Sequence, residues 1–251
     1  MLDEPDKQGG EAGLFPLTAW SRIVAAQGRG DSAREAMEEV CLRYWHPARK
    51  FLRSLGCSEH DAEDITQRFF ARWARAENFE RLDPGLGRLR SYLKQALRRE
   101  WINDWKRRSS RPQDGGAVSL DDAEMAGPAA AGGEESDAVY DAAWAEAVVA
   151  AAMQRLRAEY AARGRAKVLD AILPCIFGTD GLKPYAEAAV SAGMTEPQFK
   201  LEVHRLRRRF ADRLRDEVAG TLADPADIED ELRYVVKIMA RFENAAADVR
   251  P

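Results

Sequence analysis

From Pro112 to Met153 the chain carries no lysine and no arginine, while nine aspartates and glutamates fall there. Cations are dense elsewhere, 38 in 251 residues. The same stretch contains GPAAAGGEES, a run of glycine, proline and small residues that cannot bury enough apolar surface to offset its ordering entropy. Structureless loops this long are uncommon inside one compact domain. The chain is therefore expected to form two small units on a flexible acidic linker, residues 112–137. The N-terminus, 1–16, is expected to be disordered. The first unit covers 17–111, the second 138–221, and a C-terminal helix and tail 222–251.

Both units read as all-α. Helix-period patterns dominate and strand alternation is nearly absent. Hydrophobic residues make up 45 % and charged residues 32 %, a mix suited to helices with one wet face. The first unit should hold a short helix near 19–27 and a long one from Ser32 to about Leu55, kinked at Pro47. Ser58, with Asp61 three residues on, starts the next helix. DPGLG at 83–87 is a loop, and a further helix follows from about Leu89 to Arg108. The last helix, 226–242, begins after Asp224-Pro225.

In the second unit, residues 184–215 read PYAEAAVSAGMTEPQFKLEVHRLRRRFADRLR. A short helix, Tyr185–Ala192, stops at Gly193; Thr195 caps a new helix with Pro197 in its first turn. Two helices joined by so short a turn match the DNA-reading helix-turn-helix. Phe199, Val203, Leu206, Phe210 and Leu214 form a buried stripe on the second helix. The opposite face carries Leu201, His204, Arg205 and Arg208, flanked by Gln198, Lys200 and Arg209. From Lys200 to Arg215 seven cations meet two acids.

The first unit shows two charged faces of opposite sign. Lys94 to Arg111 again sets seven cations against two acids, interleaved with Trp101 and Trp105. Cations with aromatic planes suit unpaired nucleic acid, neutralising phosphates while bases stack. Core packing of either tryptophan is the competing reading. The helix 59–75 buries Ala62, Ile65, Phe69 and Trp73. Its other side shows Glu63, Asp64, Gln67, Phe70 and Ala71, and an acidic face with an outward Phe70 points to a protein partner. No nucleophile, metal-ligand cluster or glycine-rich phosphate loop accompanies Asp61 and Asp64, which argues against an enzyme.

These pieces, in this order, resemble the extracytoplasmic-function (ECF) sigma factors, RNA polymerase specificity subunits with two helical domains. LRYWHPARKFLRSLGCSEHDAEDITQRFFARW looks like regions 2.1 and 2.2, and GRLRSYLKQALRREWINDWKRR like regions 2.3 and 2.4. YAEAAVSAGMTEPQFKLEVHRLRRRF looks like region 4.2. The resemblance covers about residues 19–111 and 140–240. It implies that Asp61, Glu63, Asp64, Gln67 and Phe70 dock on the beta-prime clamp of core RNA polymerase. It implies that Arg98, Arg99, Trp101, Asn103, Trp105, Lys106, Arg107 and Arg108 melt and read a minus-ten element. Gln198, Lys200, Leu201, His204, Arg205, Arg208 and Arg209 would read a minus-thirty-five element. Promoter DNA and core polymerase are then the partners, with room for an inhibitory anti-sigma protein. Arg68 stands where the family often has an acid, and Ala188 and Ala192 stand where larger apolar residues usually pack. Leu201 takes the place of a polar base reader. A stand-alone helix-turn-helix regulator, or a degenerate sigma-like protein, is the rival reading.

Other features set limits. Cys41, Cys57 and Cys175 are scattered and odd in number, and His46, His60 and His204 do not cluster with them, so no zinc site, disulfide framework or cofactor is expected. No run of about 18 apolar residues is present, so no membrane span is expected. The polar start MLDEPDKQGGEAG lacks a secretory signal, and a cytoplasmic location is expected.

Overall fold

The structure, a computed structural model, describes residues 31–74, 88–110, 133–175, 185–222 and 224–248. The N-terminal segment, the short helix near 19–27, the 83–87 loop and most of the acidic linker lie outside the described residues. Among those described, helices are α1 (Asp31–Ser54), α2 (Glu59–Trp73), α3 (Leu89–Ser109), α4 (Glu134–Ala162), α5 (Ala166–Ile172), α6 (Tyr185–Ser191), α7 (Glu196–Ala219) and α8 (Ile228–Asp248). The all-α expectation holds.

Several boundaries move for local reasons. α1 runs unbroken through Pro47. The proline removes one backbone donor, but Tyr44, Ala48, Phe51 and Leu52 around it are all buried, and their packing holds the turn. α2 starts as expected, with the Ser58 hydroxyl accepting from the Asp61 amide at 3.1 Å. α4 begins at Glu134, so the last residues assigned to the linker are helical. Its first turn carries Glu134, Glu135 and Asp137, which a helix N-terminus favours.

α4 is the shared member. It packs most extensively on α1 and next on α7, and it also meets α3 and α8. Near its start, Ser136 donates to the Ser54 carbonyl at 3.2 Å, and the Tyr140 ring meets Phe51 edge-on at 5.4 Å. Trp144 follows, its indole donating to the Tyr44 hydroxyl at 3.2 Å. Farther along, Arg209 of α7 lies over the Tyr160 ring, and Arg213 pairs with Glu159 at 2.5 Å. The described residues thus pack across the expected division between the units. One continuous set of buried side chains runs from Ala36 to Ile238.

Ion pairs cross the same seam. Arg90, 6 % exposed, grips Glu231 of α8, which is fully buried, at 2.5 Å, and reaches Asp141 of α4 at 3.2 Å. Arg88 adds a 2.8 Å contact to Glu231, and Lys94 one of 3.1 Å to Asp141. The Tyr234 hydroxyl donates to Asp141 at 2.8 Å, and the Arg90 guanidinium sits over the Tyr234 and Trp144 rings. Arg98 pairs with Asp137 at 2.6 Å, Lys50 with Glu146 at 2.9 Å, and Arg43 with the buried Glu217. These pairs run one way: α1 and α3 supply the cations, while α4, α7 and α8 supply the carboxylates.

Candidate nucleic-acid interface

The acidic helix α2 is more committed than its sequence suggested. Glu59 and Glu63 pair with Arg49 of α1, the latter at 2.8 Å. Asp61 pairs with Arg108 of α3 at 2.7 Å. Burial works to raise the Asp61 carboxyl, but Arg108 and the Ser58 hydroxyl outweigh it and hold it below the usual carboxylate range. Phe70, expected to face outward, is buried: it stacks on Trp45 at 5.8 Å and meets Phe69 and Trp73 edge-on. The apolar stripe is simply one residue wider than the helical period alone implied, because Trp45 of α1 lies over that side. The exposed residues of α2 are Glu59, His60, Gln67, Arg68, Ala71 and Arg72, while Asp64 is half-buried and 3.6 Å from His60.

α3 splits into two faces at 100° per residue. Leu89, Arg90, Leu93, Leu97, Glu100, Trp101 and Asp104 point inward. Trp101 is 2 % exposed, so the core reading of this residue is the one realised. Gln95, Arg99, Asn103 and Lys106 are exposed on the other face, with Tyr92, Ile102 and Trp105 half-buried beside them. Four of the expected DNA-contacting residues therefore share an accessible stripe: Arg99, Asn103, Trp105 and Lys106. The other cations have partners. Arg98 is held by Asp137, while Arg107 and Arg108 both contact Asp104. Asp104 also takes Arg68 of α2 at 2.6 Å, which explains a cation where the family often has an acid. Burial works to raise the Asp104 carboxyl, but Arg68 with Arg108 and Arg107 brings it below its ordinary value.

The α6–α7 pair forms around a turn in which Gly193 has φ 66°, a conformation that disfavours a side chain. Thr195 and Gln198 make a reciprocal capping box at the start of α7, so the Gln198 side chain is engaged with backbone as well as exposed. Phe199 is fully buried and meets Tyr185 at 5.7 Å, filling space left by the half-buried Ala188 and Ala192. On the opposite face Lys200, Leu201, His204, Arg205 and Arg208 are exposed, as the period predicts. Lys200 pairs with Glu196 at 2.6 Å and Arg205 with Glu202 at 2.9 Å, both within α7. No described residue pairs with Arg208. Arg209 is half-buried over Tyr160. The buried Glu202, which also takes Arg165 at 3.1 Å, is a structural acid that periodicity did not single out.

Burial pushes the Cys57 thiol up to about 12 and the Cys41 thiol up to about 11, so neither supplies a thiolate near neutrality. No helix among the described residues is long and apolar enough to cross a membrane.

No curated protein and no solved structure matches the chain. Residues 46–111, however, match the family model described as sigma-70 region 2. That segment begins in α1, contains α2 and ends just beyond α3, so it carries both the α2 solvent face and the α3 stripe. It supports a sigma-factor-like, non-enzymatic role in promoter recognition and transcription initiation. The chain is thus similar, over about a quarter of its length, to sigma-70 region 2, which supports a sigma-70 family member.

Proposed function

We propose that this chain is an ECF-type sigma factor: it binds core RNA polymerase and directs it to promoters, acting in the cytoplasm without chemistry of its own. The observation that carries this reading is the α3 stripe of exposed Arg99, Asn103 and Lys106 with half-buried Trp105 beside them, inside the segment that matches sigma-70 region 2. On this reading Trp105 stacks on an unpaired minus-ten base while Arg99 and Lys106 take phosphates. Asp64 and Gln67 contact the beta-prime clamp. α6 and α7 act as the helix-turn-helix of region 4, with Lys200, His204, Arg205 and Arg208 facing the minus-thirty-five major groove and Leu201 placed for a thymine methyl. An anti-sigma protein would act by covering these faces. Run-off transcription with core polymerase on sheared genomic DNA tests the proposal. Discrete transcripts that require the chain support it, and none above the core-alone background overturns it.

The packing of the two units on one another favours a second reading, a sigma-like regulator that binds DNA as one body. It predicts footprints on duplex DNA without polymerase, and no polymerase co-purification.

A further inference from the structure

Resting on the region 4-like reading of α6 and α7, we infer a second DNA contact outside that helix pair: the turn between α4 and α5, with Arg163, Arg165 and Lys167, binds the phosphate backbone beside the major groove that α7 enters.

The turn has a fixed backbone. α4 ends at Ala162, and Gly164 follows with φ 66°, a conformation that disfavours a side chain. The Arg165 amide donates back to the Tyr160 carbonyl at 2.8 Å, and the Gly164 amide to the Ala161 carbonyl at 2.9 Å. These two carbonyls at the end of α4 are thus satisfied by backbone and need no cationic side chain. Arg163 and Lys167 are exposed, and no described residue pairs with either. Between 163 and 170 three cations meet a single acid, Asp170.

α7 and the turn are joined at two points. The buried Glu202 takes Arg165 at 3.1 Å on one oxygen and Arg205 at 2.9 Å on the other, so the two guanidinium groups sit side by side. The Tyr160 ring carries Arg165 at 5.8 Å and Arg209 at 5.7 Å. At about 100° per residue, Glu202 and Arg209 lie roughly 100–120° round α7 from Arg208, while Leu201, His204 and Arg205 lie within about 60° of it. The turn therefore flanks the outward face of α7. A helix is about 10–12 Å across and the major groove of B-DNA ~12 Å wide. α7 seated there leaves no base edge for a neighbour to reach, and what stands beside it meets phosphates. Arginine and lysine suit phosphate oxygens by charge and by donors, and such contacts carry no sequence information. Arg205 marks the boundary, facing the groove while sharing Glu202 with the turn.

The test uses core polymerase with the full chain, on a promoter duplex recovered from the run-off transcription. Arg163→Ala with Lys167→Ala removes two exposed side chains, so the unfolding midpoint should hold. The double variant should bind the duplex at least about tenfold more weakly at ~0.1 M salt, and lower the slope of log affinity against log salt by about 2. The fold loss should be the same on duplexes with altered minus-thirty-five bases, because phosphates are alike. Single methylphosphonate linkages, each removing one backbone charge, should weaken the parent at phosphates flanking the minus-thirty-five groove, and those linkages should cease to matter in the double variant. Parental affinity and salt slope, or a parental methylphosphonate profile, overturn the turn contact. A lowered midpoint with an unchanged salt slope overturns it too, assigning the cations to the hold on α4. In either case the helix-turn-helix reading stands if Arg208→Glu still loses binding. If Arg208→Glu binds like the parent, or no promoter is recovered, the underlying reading falls and takes the turn contact with it.

Discussion

α3 and α7 begin with the same arithmetic, seven cations against two acids over 94–111 and over 200–215, and end with different electrostatics. On α3, Lys94 and Arg98 are drawn to α4, and Arg107 and Arg108 close on Asp104. Arg99 and Lys106 are the cations left on its open stripe. On α7, Lys200 and Arg205 are themselves exposed and pair only within their own helix, Lys200 with Glu196 and Arg205 with the buried Glu202. Arg208 faces water. Local charge counts measure a binding field only where the partners are local too. α3 is a structural helix with a narrow cationic edge, and α7 presents most of its charge outward.

The sharpest break in that comparison is at the tryptophans. Trp101→Ala should cost about 3–5 kcal/mol of stability, as for other buried large-to-small changes, measured by denaturant unfolding of the full chain. Trp105→Ala should leave the midpoint nearly unchanged and instead weaken binding to a forked, partly single-stranded oligonucleotide by about 1–3 kcal/mol. Equal destabilisation by both would erase the distinction between an inward and an outward face of α3.

Arginine reversal separates the helices next. Arg108→Glu places a carboxylate against Asp61 and the buried Asp104 and should destabilise the α2–α3 contact by about 1–3 kcal/mol. Arg208→Glu should stay within about 0.5 kcal/mol of the parent in stability. On duplex DNA it should lower the slope of log affinity against log salt by ~1 or more, since a phosphate contact is lost. If Arg108→Glu folds normally and changes only DNA affinity, its ion pairs are incidental and α3 is the broader nucleic-acid surface that its composition suggested.

Much of this was legible in the sequence, and the failures have a common cause. The inward stripe of α7, the Thr195 cap and the Ser58 cap follow from period and spacing, which are local. Phe70 was misplaced because Trp45, 25 positions upstream, widens the buried face of α2. The seam was illegible for the same reason. Arg90 and Glu231 are separated by 141 residues, and nothing in either segment alone announces the other. Low cation density between 112 and 153 read as a flexible break, yet nearly half of that stretch, from Glu134 on, forms the start of α4. There the missing cations are supplied from α1 and α3.

The smallest expected effect is in the acid response, and it also discriminates between the two helices. Asp61 and Asp104 are both held below the ordinary carboxylate range, burial opposing the shift and the arginines of α2 and α3 overcoming it. A carboxylate with a lowered folded value contributes stability at every pH above its unfolded value, about 3.9. That contribution is lost as pH falls through the lower folded value, so the α2–α3 contact should be flat from pH 5 to 8 and weaken only below about 3.9. Hydrogen exchange resolves the site: amides of α2 and α3 should lose protection on acidification in the parent chain. Asp104→Asn keeps the side-chain shape but cannot ionise. It should show lower protection at neutral pH and a smaller further loss in acid, while α6 and α7 respond alike in both proteins. If Asp104→Asn matches the parent at pH 7, Arg68, Arg107 and Arg108 gain nothing from that carboxylate. They would then have to be counted with Arg99 and Lys106 as charge available to DNA.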